Sequence, residues 1–250
     1  MKRAIVSVAT NDYYGRGQNR LLQHACKVAP DAEPWFWRPG DHWPEKCPPH
    51  EIVPFAFKAF ALMDAAGAGY EQLLWLDACM VPLKRIDPIW AHAECYGAWL
   101  HENGYSNYEW TADEAYESLF PSVSIAIARG INRLIPHVVG GAFAIDLTHL
   151  GGRHFLAEYF RLASKTSAFC GPWTNANHVD QPGELRPYNR HYAPCGPADV
   201  RGHRHDQTAL SVLAKRVLVP LTKGREFFAY GKLSDRRPLD PILLADGSYA

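Results

Sequence analysis

An aspartate at the end of an otherwise unbroken apolar run constrains this chain more than any other feature. The run is Leu73-Leu74-Trp75-Leu76, then Asp77, then Ala78-Cys79-Met80-Val81. Its length and content are those of a buried strand. An ionised carboxylate inside such a strand would carry a heavy desolvation cost, so Asp77 is expected to face a site or a partner. It either caps a strand-end turn or holds a ligand, such as a metal ion or the ribose of a nucleotide.

The segments around this run alternate between strand and helix patterns. Ala4 to Thr10 reads as a buried first strand, and Asn11-Asp12-Tyr13-Tyr14-Gly15 as a turn. Leu21, Leu22, Ala25 and Val28 recur at helical spacing, and Trp35 to Trp37 reads as a second strand. A Pro-rich loop, Pro39 to Pro54, leads to a helix marked by Phe57, Phe60, Ala61 and Ala65 and ended by Gly67 and Gly69. Asp87 to Trp90 suggests a short helix, and Tyr96 to Leu100 a strand. Thr111-Ala112-Asp113-Glu114 has capping-box spacing before a helix near Ala115. His137 to Asp146 reads as one strand with a glycine break. Phe155, Leu156, Tyr159, Phe160 and Ala163 share a helix face, and Asp206 opens a last helix. Strands alternating with helices imply a single α/β domain over residues 1–231, built on a mostly parallel sheet covered on both faces. Residues 232–250 read as a tail that wraps the domain or frays. In such sheets ligands sit outside the carboxyl ends of the strands.

Composition narrows the function. Apolar residues make up 47% of the 250 residues and charged ones 21%, which is enough for a real core. The 26 basic and 26 acidic residues cancel, and a chain that clamps a phosphate backbone usually carries a basic excess. Nucleic acid is therefore disfavoured as a partner. Met1-Lys2-Arg3 runs straight into a strand with no signal-peptide pattern, and no apolar run approaches the ~20 residues of a membrane helix. A cytoplasmic location is expected. The six cysteines form no C-x-x-C pair and read as reduced thiols, with Cys79 and Cys95 expected in the core.

Beside Asp77, three other places offer chemistry. Gly202-His203-Arg204-His205-Asp206-Gln207 puts cationic and titratable groups before a helix start, where backbone N–H groups favour anions. Alternatively Asp206 merely caps the helix and the histidines are surface residues. Thr10, Asn11, Asp12 and Tyr14 follow the first strand, where they either read a nucleotide base or form a plain Asx turn. Lys58 lies beside an apolar helix face and either snorkels outward or reaches a diphosphate. The Gly15-Arg16-Gly17 pair lacks the third glycine of a dinucleotide fingerprint.

In their order and spacing these pieces resemble the GT-A fold glycosyltransferases. Leu74-Trp75-Leu76-Asp77-Ala78-Cys79 is similar to that family's D-x-D motif, Val139-Gly140-Gly141-Ala142-Phe143 to the strand lining its acceptor side, and His205-Asp206-Gln207 to the pair that opens a helix under the donor sugar. The resemblance spans roughly residues 3 to 220. It implies a nucleotide-sugar donor, commonly a uridine one, a hydroxyl acceptor on a glycan, lipid-linked or small molecule, and a manganese or magnesium ion. It places the nucleoside on Thr10, Asn11, Asp12 and Tyr14, and the diphosphate on Lys58 and an Asp77-bound cation. Gly140 and Gly141 fall beside the donor. Asp206 falls at the transferred sugar as a base, or else it or Gln207 stabilises an oxocarbenium-like centre there. The loop from Cys170 to Ala198, with Trp173, His178, Tyr188, His191 and Tyr192, is expected to close over the donor. One departure stands out: the second acid of the motif is Cys79, and a thiol is a poor ligand for hard ions. The expectation is that His203 or His205 helps Asp77 hold the metal, the alternatives being that Lys58 replaces the ion or that activity is lost.

Three rival readings remain. A sugar-nucleotide nucleotidyltransferase shares such a sheet but needs a Gly-rich phosphate loop absent here. A non-catalytic nucleotide- or glycan-binding protein follows from Cys79. A zinc site would join His203 and His205 to His178 or His191.

Overall fold

The computed structural model describes residues 1–38, 40, 44, 46–178, 192–235 and 240–248. In chain order it forms β1 (Arg3–Val8), α1 (Asp12–Val28), β2 (Ala32–Trp37), α2 (Phe57–Gly67), β3 (Gln72–Leu76), β4 (Met80–Pro82), α3 (Asp87–Tyr96), β5 (Ala98–Trp99) and β6 (Glu102–Ser106). Then come α4 (Tyr116–Leu119), α5 (Ile125–Asn132), β7 (Pro136–Val138), β8 (Ala142–Asp146), α6 (Leu150–Lys165), β9 (Thr174–Asn175), β10 (Tyr192–Ala193), α7 (His205–Arg216), β11 (Phe228–Tyr230) and β12 (Leu243–Ala245).

Period-two alternation builds the central sheet. Ala4, Val6, Val8, Leu73, Trp75, Phe143 and Ile145 point to one face, where α2, α6 and α7 bury Phe60, Tyr159 and Leu210. Ile5, Leu74, Leu76, Ala142 and Ala144 point to the other, under Leu21 and Ala25 of α1 and Ile89, Trp90 and Ala93 of α3. The strand order is β2-β1-β3-β8-β5. β1 runs parallel to both β2 and β3, whereas β8 is antiparallel to β3 and to β5. The sheet is thus mixed, with β8 alone reversed in an otherwise parallel set. Because of that reversal, the start of β8 meets the end of β3: Leu76 pairs with Ala142, and Asp77 N donates to Gly141 O at 2.8 Å.

Several local expectations are corrected. The run through Val81 is two strands, β3 and β4, split by the Asp77 to Cys79 turn, and the segment from His137 to Asp146 divides into β7 and β8 at the glycines. The Asn11 segment is no free turn: Asn11 is the N-cap of α1, its side chain accepting from Tyr14 N at 3.1 Å. Thr111 is not an N-cap: it closes the short helix before it, and its hydroxyl donates to Asn107 O. The real capping box is Ser106 with Glu109. The helix at Asp87 runs on to Tyr96, ending at Gly97 with φ 83°, a left-handed turn that suits glycine. Cys95 is exposed and so not a core residue, whereas Cys79 is partly buried and packs against the core.

The segment after residue 231 is part of the fold where it is described. β12 lies between β11 and β4, and Arg20 of α1 donates to Asp246 Oδ2 at 3.2 Å and Ser248 O at 2.6 Å. No helix among the described residues is long and apolar enough to cross a membrane.

Candidate functional site

The carboxyl ends of β1 and β3 and the reversed start of β8 form one edge of the sheet, and the sequence candidates gather there. Asp77 ends β3. Gly140 and Gly141 precede β8. Lys58 comes from the first turn of α2, and Asp206 with Gln207 from the first turn of α7.

Lys58 ties these elements together. Its ammonium lies 2.8 Å from Asp206 Oδ2 and 3.1 Å from Asp77 Oδ1, and it donates to Gly140 O at 2.8 Å. Phe55 and Trp75 rings wall it at 5.2 and 5.4 Å. The Lys58 and Asp206 side chains are each 2% exposed, whereas that of Asp77 is 33% exposed. Lys58 is thus buried as the counter-ion of two carboxylates, with one hydrogen bond to a backbone carbonyl. The expected Lys58–diphosphate contact would require the ammonium to leave these partners. Burial alone would lower its pKa, but Asp206 and Asp77 outweigh that and hold it above the ordinary lysine value. Burial pushes Asp206 up to about 6 against the pull of Lys58, with Asp77 adding repulsion.

The backbone before both buried charges is unusual. Phe55 has φ 62° and His205 φ 44°, left-handed values that cost a side-chain-bearing residue about 1–2 kcal/mol. Their rings pack together at 5.6 Å, and Trp173 covers His205 at 5.7 Å. This aromatic stack holds the turns that aim Lys58 and Asp206 at each other.

Neither glycine of the pair is needed for a special φ; both are needed for room. A Cβ on Gly140 would sit 2.5 Å from Gln207 Cγ and 2.7 Å from Asp206 Oδ2, and one on Gly141 would sit 2.5 Å from Met80 Cε. Asp77 Oδ1 also accepts from Trp75 Nε1 at 2.7 Å, and Oδ2 belongs to a side chain that is 33% exposed at this sheet edge. Thr10, Asn11, Asp12 and Tyr14 are exposed at the end of β1 and the start of α1.

The residues present do not fit the divalent cation that the resemblance implies. Cys79 is a protonated thiol, pushed up to about 12 by burial and by Asp77. Asp206 is committed to Lys58. The expected help from His203 and His205 is also corrected, because both rings are buried and spent internally. His203 Nε2 donates to Ala168 O at 2.9 Å while its Nδ1 accepts from Ala112 N, and His205 Nδ1 donates to Phe169 O at 2.9 Å. Burial lowers His203 to about 4 and His205 well below its usual value. Among the described residues no group of three or more His, Cys, Asp or Glu could hold a metal ion. His178 Nδ1 donates to Ala198 O at 2.9 Å, and Tyr188 and His191 lie outside the described residues.

Sequence reasoning missed two partners of this edge. His137 is buried at 1% exposure behind Gln207, 3.2 Å from its amide. The Arg204 guanidinium is sandwiched between Trp110 and Trp173, 3.8 Å from each ring. Arg204 was visible only as one cation of the 202–207 segment and His137 not at all, because their partners come from distant segments.

No family model matches the chain, and no curated protein matches it. Among solved structures, it is similar to a glycosyltransferase involved in the glycosylation of the major capsid of PBCV-1, with TM-score 0.49 and 12% identity over 98% of this chain and 92% of that one. It is similar to the galactosyltransferase LgtC in complex with donor and acceptor sugar analogues, with TM-score 0.48 and 14% identity over 97% and 86%. It is also similar to the glycosyltransferase GlyE of Streptococcus pneumoniae TIGR4, with TM-score 0.42 and 11% identity over 90% of this chain and 45% of that one.

Proposed function

We propose that this chain transfers a glycosyl group from a nucleoside-diphosphate sugar to a hydroxyl of a glycan, a lipid-linked sugar or a small molecule. The observation that carries the reading is the convergence of Asp77, Asp206 and Gln207 on one sheet edge, around a lysine that neutralises only one of the two acids. With both acids ionised, the group keeps one net negative charge. Such a fixed charge favours the positive charge that builds on the sugar's anomeric carbon as its bond to the diphosphate breaks. The bonding pair leaves with the diphosphate oxygen, the acceptor oxygen takes its place on that carbon, and the acceptor's proton ends on the diphosphate or in solvent.

In this reading Asp77, partly exposed at this edge, accepts hydroxyls of the donor through Oδ2, and Thr10, Asn11, Asp12 and Tyr14 receive its nucleoside. Asp206 is too buried to deprotonate an acceptor and acts through its charge and its hold on Lys58. Because the donor set does not fit a divalent cation, no step is assigned to one.

Calorimetric titration with a panel of nucleoside diphosphates and uridine, guanosine and cytidine diphosphate sugars tests the proposal. One nucleotide should bind, its sugar should be released or transferred, and Asp77→Asn should lose most of that turnover while staying folded. Absence of any nucleotide binding, or near-normal turnover in both Asp77→Asn and Asp206→Asn, would overturn it. The protonated Cys79 in place of a second acid favours a second reading, a nucleotide-binding protein without turnover. Binding with no sugar release would identify that one.

A further inference from the structure

Gln207 stands beside Asp206 at the sheet edge, half-buried, with its side chain against Gly140 and its other end toward the open side, called the cleft below. Which end of its amide faces the cleft decides what the site offers a sugar, and a chain of buried hydrogen bonds settles this.

The chain begins at a backbone carbonyl, which can only accept. Thr111 Oγ1 spends its one proton on Asn107 O at 2.7 Å. The Asn132 amide end 2.9 Å from that hydroxyl must therefore donate, so it is Nδ2. Asn132 Oδ1 then accepts from Asn107 Nδ2 at 2.8 Å, and the same Nδ2 lies 3.4 Å from Thr208 O, again an obligate acceptor. Asn107 Oδ1 is left facing His137 Nδ1 at 2.8 Å, and an amide oxygen needs a donor there. The proton is therefore on Nδ1. A second path agrees: Ser211 Oγ donates to Gln207 O at 2.7 Å, so it too can only accept from Nδ1, 3.5 Å away.

The His137 ring is 1% exposed and neutral; burial, then the nearby Arg204, lowers its pKa to about 3. A neutral ring with its proton on Nδ1 has a bare, accepting Nε2. The Gln207 amide end at 3.2 Å from it is placed as Oε1, but two acceptors cannot bond. That end has to be the NH2 group.

We propose that His137 is a positioning residue that turns the Gln207 amide so that its NH2 faces inward and its carbonyl oxygen faces the cleft. With Lys58 spent on its three oxygens, the wall beside the donor then presents acceptors: Asp77 Oδ2 and Gln207 Oε1. Such a wall suits sugar hydroxyls, which donate, and an anomeric carbon that gains positive charge. The orientation stands on the hydrogen-bond chain together with the burial that keeps the His137 ring neutral; its use rests on the glycosyl-transfer reading.

The test is long-range proton–nitrogen NMR of the whole protein with 15N-labelled histidine and glutamine, the His137 resonances being those absent from His137→Gln or, if that variant fails to fold, those moved in Gln207→Ala. The expected result near neutral pH is a proton on Nδ1, a bare Nε2, and a through-hydrogen-bond correlation from the Gln207 side-chain amide to Nε2. A proton on Nε2, or a doubly protonated ring, would overturn the proposal. Neither result depends on turnover, so a failure here is distinct from failure of the transfer reading. Where a panel nucleotide sugar is turned over, His137→Phe should lower kcat about tenfold, the worth of roughly one hydrogen bond, with KM unchanged. A KM effect alone would overturn the positioning role.

Discussion

Phe55 and His205 both hold left-handed backbone, φ 62° and 44°, and pack ring against ring at 5.6 Å. Each lies within three residues of a buried charge, Lys58 or Asp206, and the two charges meet at 2.8 Å. The fold thus sets strained turns on both sides of one ion pair and holds them with a shared aromatic contact. Strain of this kind persists only where packing over-determines it.

A reversal of the usual glycine penalty follows. Phe55→Ala loses the ring and keeps the strained φ, whereas Phe55→Gly loses the ring and is at ease there. Phe55→Gly should be the more stable of the two by about 1 kcal/mol. Urea unfolding of both variants checks it, and the ordinary order, with Ala the more stable, would contradict the strain.

Removing the buried cation should cost far more. Lys58→Met leaves Asp206 at 2% exposure with no counter-charge, a loss of about 3–5 kcal/mol. The double variant Lys58→Met/Asp206→Asn should regain part of it, because the stranded charge goes too. Denaturation midpoints of the two variants decide the point; a double variant no more stable than the single one would show that Lys58 acts through packing instead.

Asp206 gives the pH dependence its sign. Its folded pKa of about 6 lies above its ordinary value of 3.8, so between those values the folded protein holds more protons than the unfolded chain. Stability contributed by this group therefore falls as pH rises from about 4 to about 6 and is level above that. Carbon NMR of the Asp206 carboxyl should show its midpoint near 6. In Asp206→Asn the difference in stability from the parent should grow across that same window, in favour of the variant.

The sequence made each member of this group visible for the same reason: it breaks a pattern. Asp77 interrupts an apolar run, Lys58 sits on an apolar helix face, Gly140 and Gly141 break a strand, and Asp206 opens a helix. What stayed hidden were the pairings. Lys58 meets Gly140 O across 82 positions of chain, and no local pattern records that its ammonium is buried as a counter-ion. The histidines of the 202–207 segment were candidate ligands by residue type and by their place beside Asp206; burial and carbonyl partners from residues 168 and 169 spend them instead. His137 lay inside a strand pattern and had no signal at all, since its partners Asn107 and Gln207 come from distant turns.

The same counter-ion role predicts the response to metal. Asp77, the one acid the motif keeps, already faces the ammonium of Lys58 together with Asp206, and Cys79 keeps its proton. Nucleotide affinity measured by calorimetry should change less than about twofold, under roughly 0.4 kcal/mol, between 1 mM-scale manganese and excess chelator. A manganese requirement would mean that Lys58 leaves its place when the nucleotide enters, and Lys58→Met would then bind manganese more tightly than the parent.

Gly140 offers the sharpest separation of fit from fold. A methyl group there would lie 2.5 Å from Gln207 Cγ and 2.7 Å from Asp206 Oδ2, while at Gly141 the nearest atom is Met80 Cε, the free end of a flexible side chain, at 2.5 Å. Met80 can swing away; Asp206 is pinned by Lys58, and Gln207 by His137. Gly140→Ala should therefore cost about 1–3 kcal/mol as overpacking and displace the Gln207 amide, whereas Gly141→Ala should cost less. In the NMR experiment on His137, Gly140→Ala should weaken or abolish the correlation between Gln207 and Nε2, and Gly141→Ala should leave it in place. Equal effects of the two variants would mean that the close approach at Gly140 is not what seats Gln207.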